Sequence, residues 1–404
     1  MKKDISIAFL GALVPDEPAY HNPAFRRSGI LVQDGIVNGL GIQKAKVTVF
    51  SLRPVPSFPK ERKIFFKKKE ISYKKIEKII LHPFINILIV KTITHAISLF
   101  FELIKWSFSN RKNNKYIIVY NTYTPPLPFV YWMGKITGSK TVAILYDLGM
   151  PPKQLNYKLH KVIIYRFVEF FAKRYIPRLD GRIVINENIA NDYAKEKHSL
   201  LIDGGISESI IERLFSLDSK EFERENTKFL IAGTLASING TKLIRETLKI
   251  NSNPNIKIIF AGNGRDEEYV RQLTKEDKRV EYRGMLNLDE LFKLYEEVDV
   301  LMNLRISSDD DKYLFPSKVL EYLVIGKYVL TTSVGHIERE YGHLCTVLED
   351  NTPECLSNKI NEIASMSNSE LINKGQQSRE FLIEHSTWDK QSMKIYTYLE
   401  NLIK

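Results

Sequence analysis

The sequence predicts an α/β protein built of two tandem Rossmann-like domains, and three observations carry that expectation. Short apolar runs alternate with amphipathic stretches, the pattern of parallel sheets assembled from βαβ units. The pattern breaks at Asp203-Gly204-Gly205 and then starts again. At 404 residues the chain is long enough for two domains of ordinary size.

Along the first half, strands are expected near 4–10, 46–51, 116–120, 140–146 and 182–185, with helices around 28–40, 84–108, 125–137 and 157–175. The opening Lys2-Lys3 followed by Ile5 to Val14 has the outline of a secretion signal. Asp4 lies in the basic region, however, and Pro15-Asp16-Glu17-Pro18 stands where small residues would mark cleavage, so the run reads as a first strand. The second half repeats with strands near 228–232, 256–261, 280–283, 298–303, 328–332 and 344–347. Helices near 241–250, 265–274, 288–296, 317–325, 354–366 and 369–384 alternate with them. Residues 1–203 and 204–386 are thus the expected domains. The tail 387–404 has no following strand to serve; Trp388, Met393, Tyr396, Leu399 and Leu402 are spaced for one buried face, and the helix is expected to pack back on the first domain.

Composition excludes several classes. With 44% hydrophobic and 26% charged residues, 20 Gly and 16 Pro, the chain is neither disordered nor fibrous. Two cysteines, Cys345 and Cys355, make no disulfide framework, and no Cys/His cluster has metal-ligand spacing, so a reducing, cytoplasmic compartment is expected. Lys91 and Glu102 interrupt the best apolar run short of the ~18 to 20 residues that span a bilayer.

The charge is concentrated. Residues 53–115 carry fifteen Lys or Arg against four Asp or Glu, an excess equal to the whole formal net charge of +11. Charge spread for a polyanion such as nucleic acid is disfavoured, and one anionic partner facing one patch is favoured. Lys60 to Lys78 holds most of the charge and reads as a solvated loop. After Pro83, the polar residues Lys91, His95, Ser98, Glu102, Lys105 and Ser109 fall in one narrow stripe at about 100° per residue. Two readings stay open: a helix largely buried in the first domain, or a surface resting on an anionic bilayer at the inner face of the cell membrane.

The richest motif is "YLFPSKVLEYLVIGKYVLTT", Tyr313 to Thr332. Pro316 at a helix start, with Ser317 and Lys318 in the first turn, sets backbone N–H groups and a cation at the positive end of a helix dipole, where a phosphate fits. Glu321, one turn on, is placed to accept from a ribose diol. Gly326 ends the helix before the strand at Tyr328.

This stretch resembles the nucleotide-sugar site of family-four retaining glycosyltransferases, and other segments match in the same order. "FLIAGTL" (Phe229 to Leu235), with Gly233 and Thr234, resembles the strand and loop that open the family's second domain. "IIFAGNG" (Ile258 to Gly264), with Gly262 and Gly264, resembles the next strand and turn. "VEYRGML" (Val280 to Leu286), with Met285 and Leu286, resembles the edge that contacts the base, and "LYEEVDVLMNLR" leads through Arg305 to Phe315 and the helix. The first domain matches only in outline, through "SGILVQDGI", with Gly29, and "LIDGGI". The resemblance implies the GT-B fold, two Rossmann-like domains facing across a cleft with the C-terminal helix on the first. A "GTL" loop with a "PSK" helix suggests the subset acting in bacterial surface-polysaccharide assembly.

Two departures stand out. Eight positions before Glu321, where the family has Glu, stands Tyr313, with Asp309, Asp310 and Asp311 upstream. The loop Thr234 to Asn239 lacks the family's Arg and Lys.

The implied reaction moves a sugar from a nucleoside-diphosphate sugar to a hydroxyl of a glycan or lipid-linked acceptor, with retention, and without a metal or further cofactor. Lys318, the Ser317 and Lys318 amides and Arg305 are the expected diphosphate donors on the second domain. On the first, Gly29 allows close approach and Arg26 or Arg27 adds charge. Asp311 or Tyr313 is expected to face the donor sugar. Asp147, after the strand 140–146, is the candidate to receive the acceptor proton, and equally a turn cap. His160, His198 and His336 have no spacing that separates them from surface histidines. A sugar-nucleotide epimerase and a degenerate binding or scaffold subunit are the other classes compatible with the sequence.

Overall fold

Apolar runs without alternation become strands buried on both faces, which is what a parallel sheet under helices requires. A computed structural model describes residues 3–15, 17, 20, 27–122, 125–148, 159–194, 198–214, 225–306 and 313–403. The chain divides into a first unit, Met1–Gly205 with Trp388–Lys404, and a second, Ile206–Thr387.

The first unit contains β1 (Ile5–Gly11), β2 (Lys46–Ser51), β3 (Phe65–Phe66), β4 (Lys69–Tyr73), β5 (Ile76–Leu81), β6 (Phe84–Ile85), β7 (Asn114–Tyr120), β8 (Lys140–Leu145), β9 (Gly181–Val184) and β10 (Leu200–Leu201). Eight of them form one sheet in the order β10-β9-β8-β7-β1-β2-β5-β4, and β3 pairs with β6 apart from it. Every pairing in the large sheet is parallel except β4 with β5. The strand order reverses between β1 and β7, the position where open α/β sheets leave a crevice for ligands.

The second unit contains β11 (Thr227–Ala232), β12 (Ile256–Ala261), β13 (Val280–Tyr282), β14 (Val300–Asn303), β15 (Tyr328–Thr332) and β16 (Thr346–Leu348), all parallel in the order β13-β12-β11-β14-β15-β16. Its order reverses between β11 and β14.

The C-terminal helix Trp388–Asn401 belongs to the first unit. Trp388, Ile395 and Leu399 enter the same core as Ile7, Val47 and Ile118. Gly35, Gly39 and Gly205 admit it: a Cβ on Gly35 would stand 2.3 Å from the Trp388 ring, one on Gly205 2.4 Å from it. Tyr116 donates its hydroxyl hydrogen to the Leu399 carbonyl at 2.5 Å, and the Tyr398 hydroxyl accepts from the Arg182 amide at 3.0 Å. Met393, expected on the buried face, is 49% exposed, because the helix turns Gln391 and Ser392 inward instead.

The lysine-rich stretch expected as a loop is partly strand. Ile79, Ile80 and Leu81 bury the end of β5 on both faces beside β2, and β4 closes that edge. Its charges pair locally: Glu70 meets Lys68 at 3.0 Å and Lys78 at 2.8 Å, and those hydrogen bonds, Lys78 first, hold its carboxyl down at about 2. The following helix is Leu88–Ser109, starting later than expected because Phe84–Ile85 is paired as β6. It is not largely buried. His95, Leu99, Leu103 and Trp106 face the domain, while Ile93, Ile97, Phe101 and Phe108 on the opposite side are exposed. None of the described helices is long and apolar enough to cross a membrane.

Under that helix His82 and His95 meet edge to face with centroids 5.1 Å apart, and His82 Nδ1 lies 3.1 Å from the Ser98 hydroxyl. Burial first, then nearby positive charge, pushes their pKa values down to about 3 for His82 and about 4 for His95.

Trp388→Ala should lower the stability of the first unit by about 3–5 kcal/mol, read as an earlier denaturant transition, since it empties a filled core site. The histidine pair sets a pH dependence: both imidazoles fold neutral with pKa values below the ordinary 6.5, so their contribution is complete above pH 6.5 and is lost as pH falls toward about 4 and 3. Equilibrium unfolding at stepped pH should show this slope, and His95→Leu should flatten it; an unchanged slope would count against the pair as its source.

Candidate functional site

In the second unit the chain turns where β11 and β12 end, and the turns are made of glycine because nothing larger fits. A Cβ on Gly262 would lie 1.9 Å from the Gly233 carbonyl oxygen, and one on Gly264 would lie 2.1 Å from that of Leu235. Gly233 has φ +131 and Gly262 φ +125, conformations that side chains disfavour. Gly233 N–H donates to the Ala261 carbonyl at 2.8 Å, and Gly262 N–H to the Gly284 carbonyl at 2.7 Å. The Tyr282 hydroxyl donates to the Gly262 carbonyl at 2.8 Å. Three strand ends, with the Gly284-Met285 turn beside them, thus become one rigid rim.

Across the reversal from β14 comes the helix Lys318–Ile325. A Cβ on Gly233 would sit 2.7 Å from Lys318 Nζ, so the bare glycine backbone leaves room for that ammonium group. The group also lies over the Tyr322 ring, 5.4 Å from its centroid. Burial pushes the Lys318 pKa below the ordinary 10.5, and the Glu321 carboxylate opposes that shift. One turn on, Glu321 accepts a hydrogen bond from the buried Tyr295 hydroxyl at 3.3 Å. The Tyr322 hydroxyl closes the arrangement, donating to the Ala232 carbonyl at 3.1 Å and accepting from the Ala232 amide at 3.2 Å. Burial, and after it the Glu321 charge, raises the pKa of both tyrosines, so they stay protonated donors.

The structure therefore brings Gly233, Gly262, Gly264, Lys318 and Glu321 together at the carboxyl ends of β11 and β12. Arg305 follows β14 at the same reversal, its carbonyl accepting from the Thr332 hydroxyl at 2.5 Å. Thr234 is exposed on the loop, which is pinned by the Asn239 side-chain amide on the Thr234 carbonyl at 2.7 Å. The Ser237 and Thr241 hydroxyls both donate to Asp266. Met285 is exposed and Leu286 half-buried beyond β13.

Some expectations change. The Ser317 amide donates to the Phe315 carbonyl at 2.9 Å, because the chain folds tightly over Pro316; it is not available to a phosphate, and the helix proper begins at Lys318. Phe315 is buried, stacked on His336 with centroids 4.8 Å apart. His336 is accordingly a core ring and not a surface histidine. Tyr313 is half-buried, while Asp309, Asp310 and Asp311 lie outside the described residues.

Gly29 and Asp147 belong to the first unit. Gly29 lies in the first turn of the helix Arg27–Ile42, and a Cβ there would meet open space. Gln33, not singled out from the sequence, ties that turn to the end of β1: its Nε2 donates to the Gly29 carbonyl and its Oε1 accepts from the Ala12 amide, each at 2.9 Å. Asp147 is exposed after β8, and its amide and that of Tyr146 both donate to Asn121 Oδ1 at 3.0 Å. Arg26 and the His160 and Arg27 side chains lie outside the described residues.

Tyr295, Tyr322 and Asp266 are the other residues sequence reasoning missed. Only Tyr322 left a trace, lying four residues after Lys318 and hence one turn along its face.

Comparison with known proteins accords with this geometry. Residues 226–366 match the family model described as glycosyl transferases group 1. Among solved structures, sucrose-phosphate synthase from Thermosynechococcus elongatus superposes with a TM-score of 0.63 at 14% identity, covering 99% of both chains. A glycosyltransferase from Rickettsia africae gives 0.61 at 14% identity over 99% of each chain. HepE of Anabaena in complex with UDP-glucose gives 0.57 at 13% identity, over 98% of this chain and 100% of that one. No curated protein matches the sequence. The chain has the GT-B fold, and within its second unit residues 226–366 are similar to group 1 glycosyl transferases.

Lys318→Ala should weaken nucleoside-diphosphate binding about ten- to a hundredfold, the loss of a charge-assisted hydrogen bond. Because the Lys318 pKa is lowered, a diphosphate held by its charged form would be released as pH rises through a value below 10.5. Calorimetry should find the wild-type affinity breaking downward in that alkaline range and no such break in Lys318→Ala.

Proposed function

We propose that this chain is a group 1 glycosyltransferase that moves a sugar from a nucleoside-diphosphate sugar to a hydroxyl of a lipid-linked or polysaccharide intermediate, with retention of configuration and without a metal. The observation that carries the reading is the Lys318 ammonium held against the Gly233 backbone at the strand-order reversal of the second unit. As the glycosidic bond breaks, negative charge builds on the leaving diphosphate. A cation already desolvated and fixed at that point stabilises the charge more than water does and needs no reorganisation.

Roles follow residue by residue. Lys318, with its own amide at the helix start and Arg305 nearby in sequence, neutralises the diphosphate. The exposed Thr234 loop, without Arg or Lys, leaves that duty to the helix side of the site. Glu321, oriented by the Tyr295 hydroxyl, accepts from the ribose diol and so fixes where the sugar's anomeric carbon stands. Asp147 receives the acceptor proton. The acceptor we propose belongs to cell-envelope polysaccharide assembly, which would bring the chain to the inner face of the membrane.

Glu321→Gln should lower transfer about a hundredfold, roughly 2.7 kcal/mol of positioning, with unfolding unchanged. The deciding experiment is a panel of nucleotide sugars incubated with the protein and membranes. Transfer to lipid-linked glycan supports the reading; interconversion of the sugar nucleotide, or binding without turnover, removes it. Within that assay Asp311→Asn beside Tyr313→Phe locates the group facing the donor sugar: a large loss in the first alone assigns a carboxylate, in the second alone a hydroxyl.

A further inference from the structure

Of the twenty-four large hydrophobic side chains exposed among the described residues, seven lie on the helix Leu88–Ser109, two on Leu127–Thr137 and three on Leu159–Tyr175. The connections β5 to β7, β7 to β8 and β8 to β9 all step the same way across the first unit's sheet, so right-handed crossovers put these helices on one side of it. The Ser107 hydroxyl donates to the Thr137 carbonyl at 3.1 Å, and the Tyr131 and Tyr175 rings meet at 5.7 Å, so the three lie side by side.

Each helix turns an apolar stripe outward. On Leu88–Ser109 the exposed Ile93, Ile97 and Phe101 stand about half a turn, at ~100° per residue, from the buried Leu99 and Trp106. Trp132 and Ile136 are one turn apart on the second helix, and Ile163, Phe167 and Phe170 follow helical spacing on the third. At roughly 100 Å² apiece, these eight side chains exceed the ~300–600 Å² of the largest apolar patch on an ordinary monomer.

Charge selects the occupant. These three helices carry two carboxylates, and both are neutralised: Glu102 by Lys68 at 2.6 Å and Glu169 by Lys173 at 2.6 Å. Lys105, Lys135, Arg166 and Arg174 are exposed around the stripes, and the Arg62-Lys63 and Lys67-Lys68-Lys69 clusters flank the exposed Phe65. A second copy would face the same cations across a twofold interface and be repelled. An anionic bilayer offers acyl chains to the stripes and phosphates to the rim, and these helices are suited to lie in its surface, not to span it.

We propose that the helices Leu88–Ser109, Leu127–Thr137 and Leu159–Tyr175 together form a docking face that inserts into the headgroup layer of an anionic membrane. The proposal deepens the lipid-linked-acceptor reading and rests on it for its purpose. Trp132 provides the test, since it is 57% exposed while Trp106 and Trp388 are 6% and 8% exposed. On adding phosphatidylcholine vesicles containing phosphatidylglycerol to the full chain, emission should shift to the blue and be quenched by brominated acyl chains. Trp132→Phe should abolish that shift while still binding vesicles. Phe101→Ser with Phe167→Ser should weaken partitioning about ten- to a hundredfold, with nucleoside-diphosphate affinity unchanged as proof of fold. Binding to neither vesicle, equal binding to pure phosphatidylcholine, or a dimer that the same substitutions dissociate would overturn the proposal. Nucleotide binding and transfer to a soluble acceptor measured alongside report on the glycosyltransferase reading separately.

Discussion

The second unit depends on one constraint: three backbone segments approach one another too closely for any side chain to stand between them. Gly262 faces the Gly233 carbonyl, Gly264 faces Leu235, and Gly233 faces the ammonium of Lys318. Each glycine gives up conformational freedom to let its neighbour in, and the hydrogen bonds from Gly233 to Ala261 and from Gly262 to Gly284 lock the result. A lysine held over bare backbone loses much of its hydration, which is why its proton is less tightly held than usual and why an incoming phosphate would be worth more to it than to a surface lysine. The tyrosines complete this logic. Tyr322 anchors the helix to β11 and Tyr295 holds Glu321, so cation and carboxylate are set by buried hydroxyls and not by one another alone.

Much of this was legible because the strands are continuous apolar runs. "IIFAG" and "FLIAG" bury every side chain on both faces, and such runs admit few alternatives. What resisted reading was governed by contacts distant in sequence. The strands β4 and β5 hide in a lysine-rich segment because few apolar residues, Ile79, Ile80 and Leu81 foremost, mark their buried part, and of its lysines Lys68 and Lys78 are tied down by Glu70 and Glu102. Gln33 and Asn121 hold loop ends through single side-chain oxygens that each accept backbone hydrogens, a role that leaves no periodicity. His336 has no spacing that marks it as buried, and only its stacking on Phe315, distant in sequence, makes it a core ring.

The first unit shows how a polar stripe misleads. Lys91, His95, Ser98 and Glu102 do share one side of their helix, but that side is lateral: His95 turns into the core, Glu102 reaches Lys68, and Lys91 donates to the Val55 carbonyl at 2.7 Å. The surface left to the surroundings is apolar. Sequence periodicity reports how a helix divides its circumference, and only the positions of neighbouring strands decide which part faces them.

The placement of the last helix bears on the order in which the polypeptide acquires structure. The first unit is interrupted by the whole of Ile206–Thr387, and its core includes Trp388, Ile395, Tyr398 and Leu399. During synthesis the amino-terminal half therefore emerges with a groove lined by Gly35, Gly39 and Gly205 and nothing to fill it, while the intervening 182 residues of the second unit are complete in themselves. The domain begun first is the domain finished last. Until the final turns leave the ribosome, the nascent chain carries an open apolar seam along the Arg27–Ile42 helix, a surface for a chaperone to cover during translation.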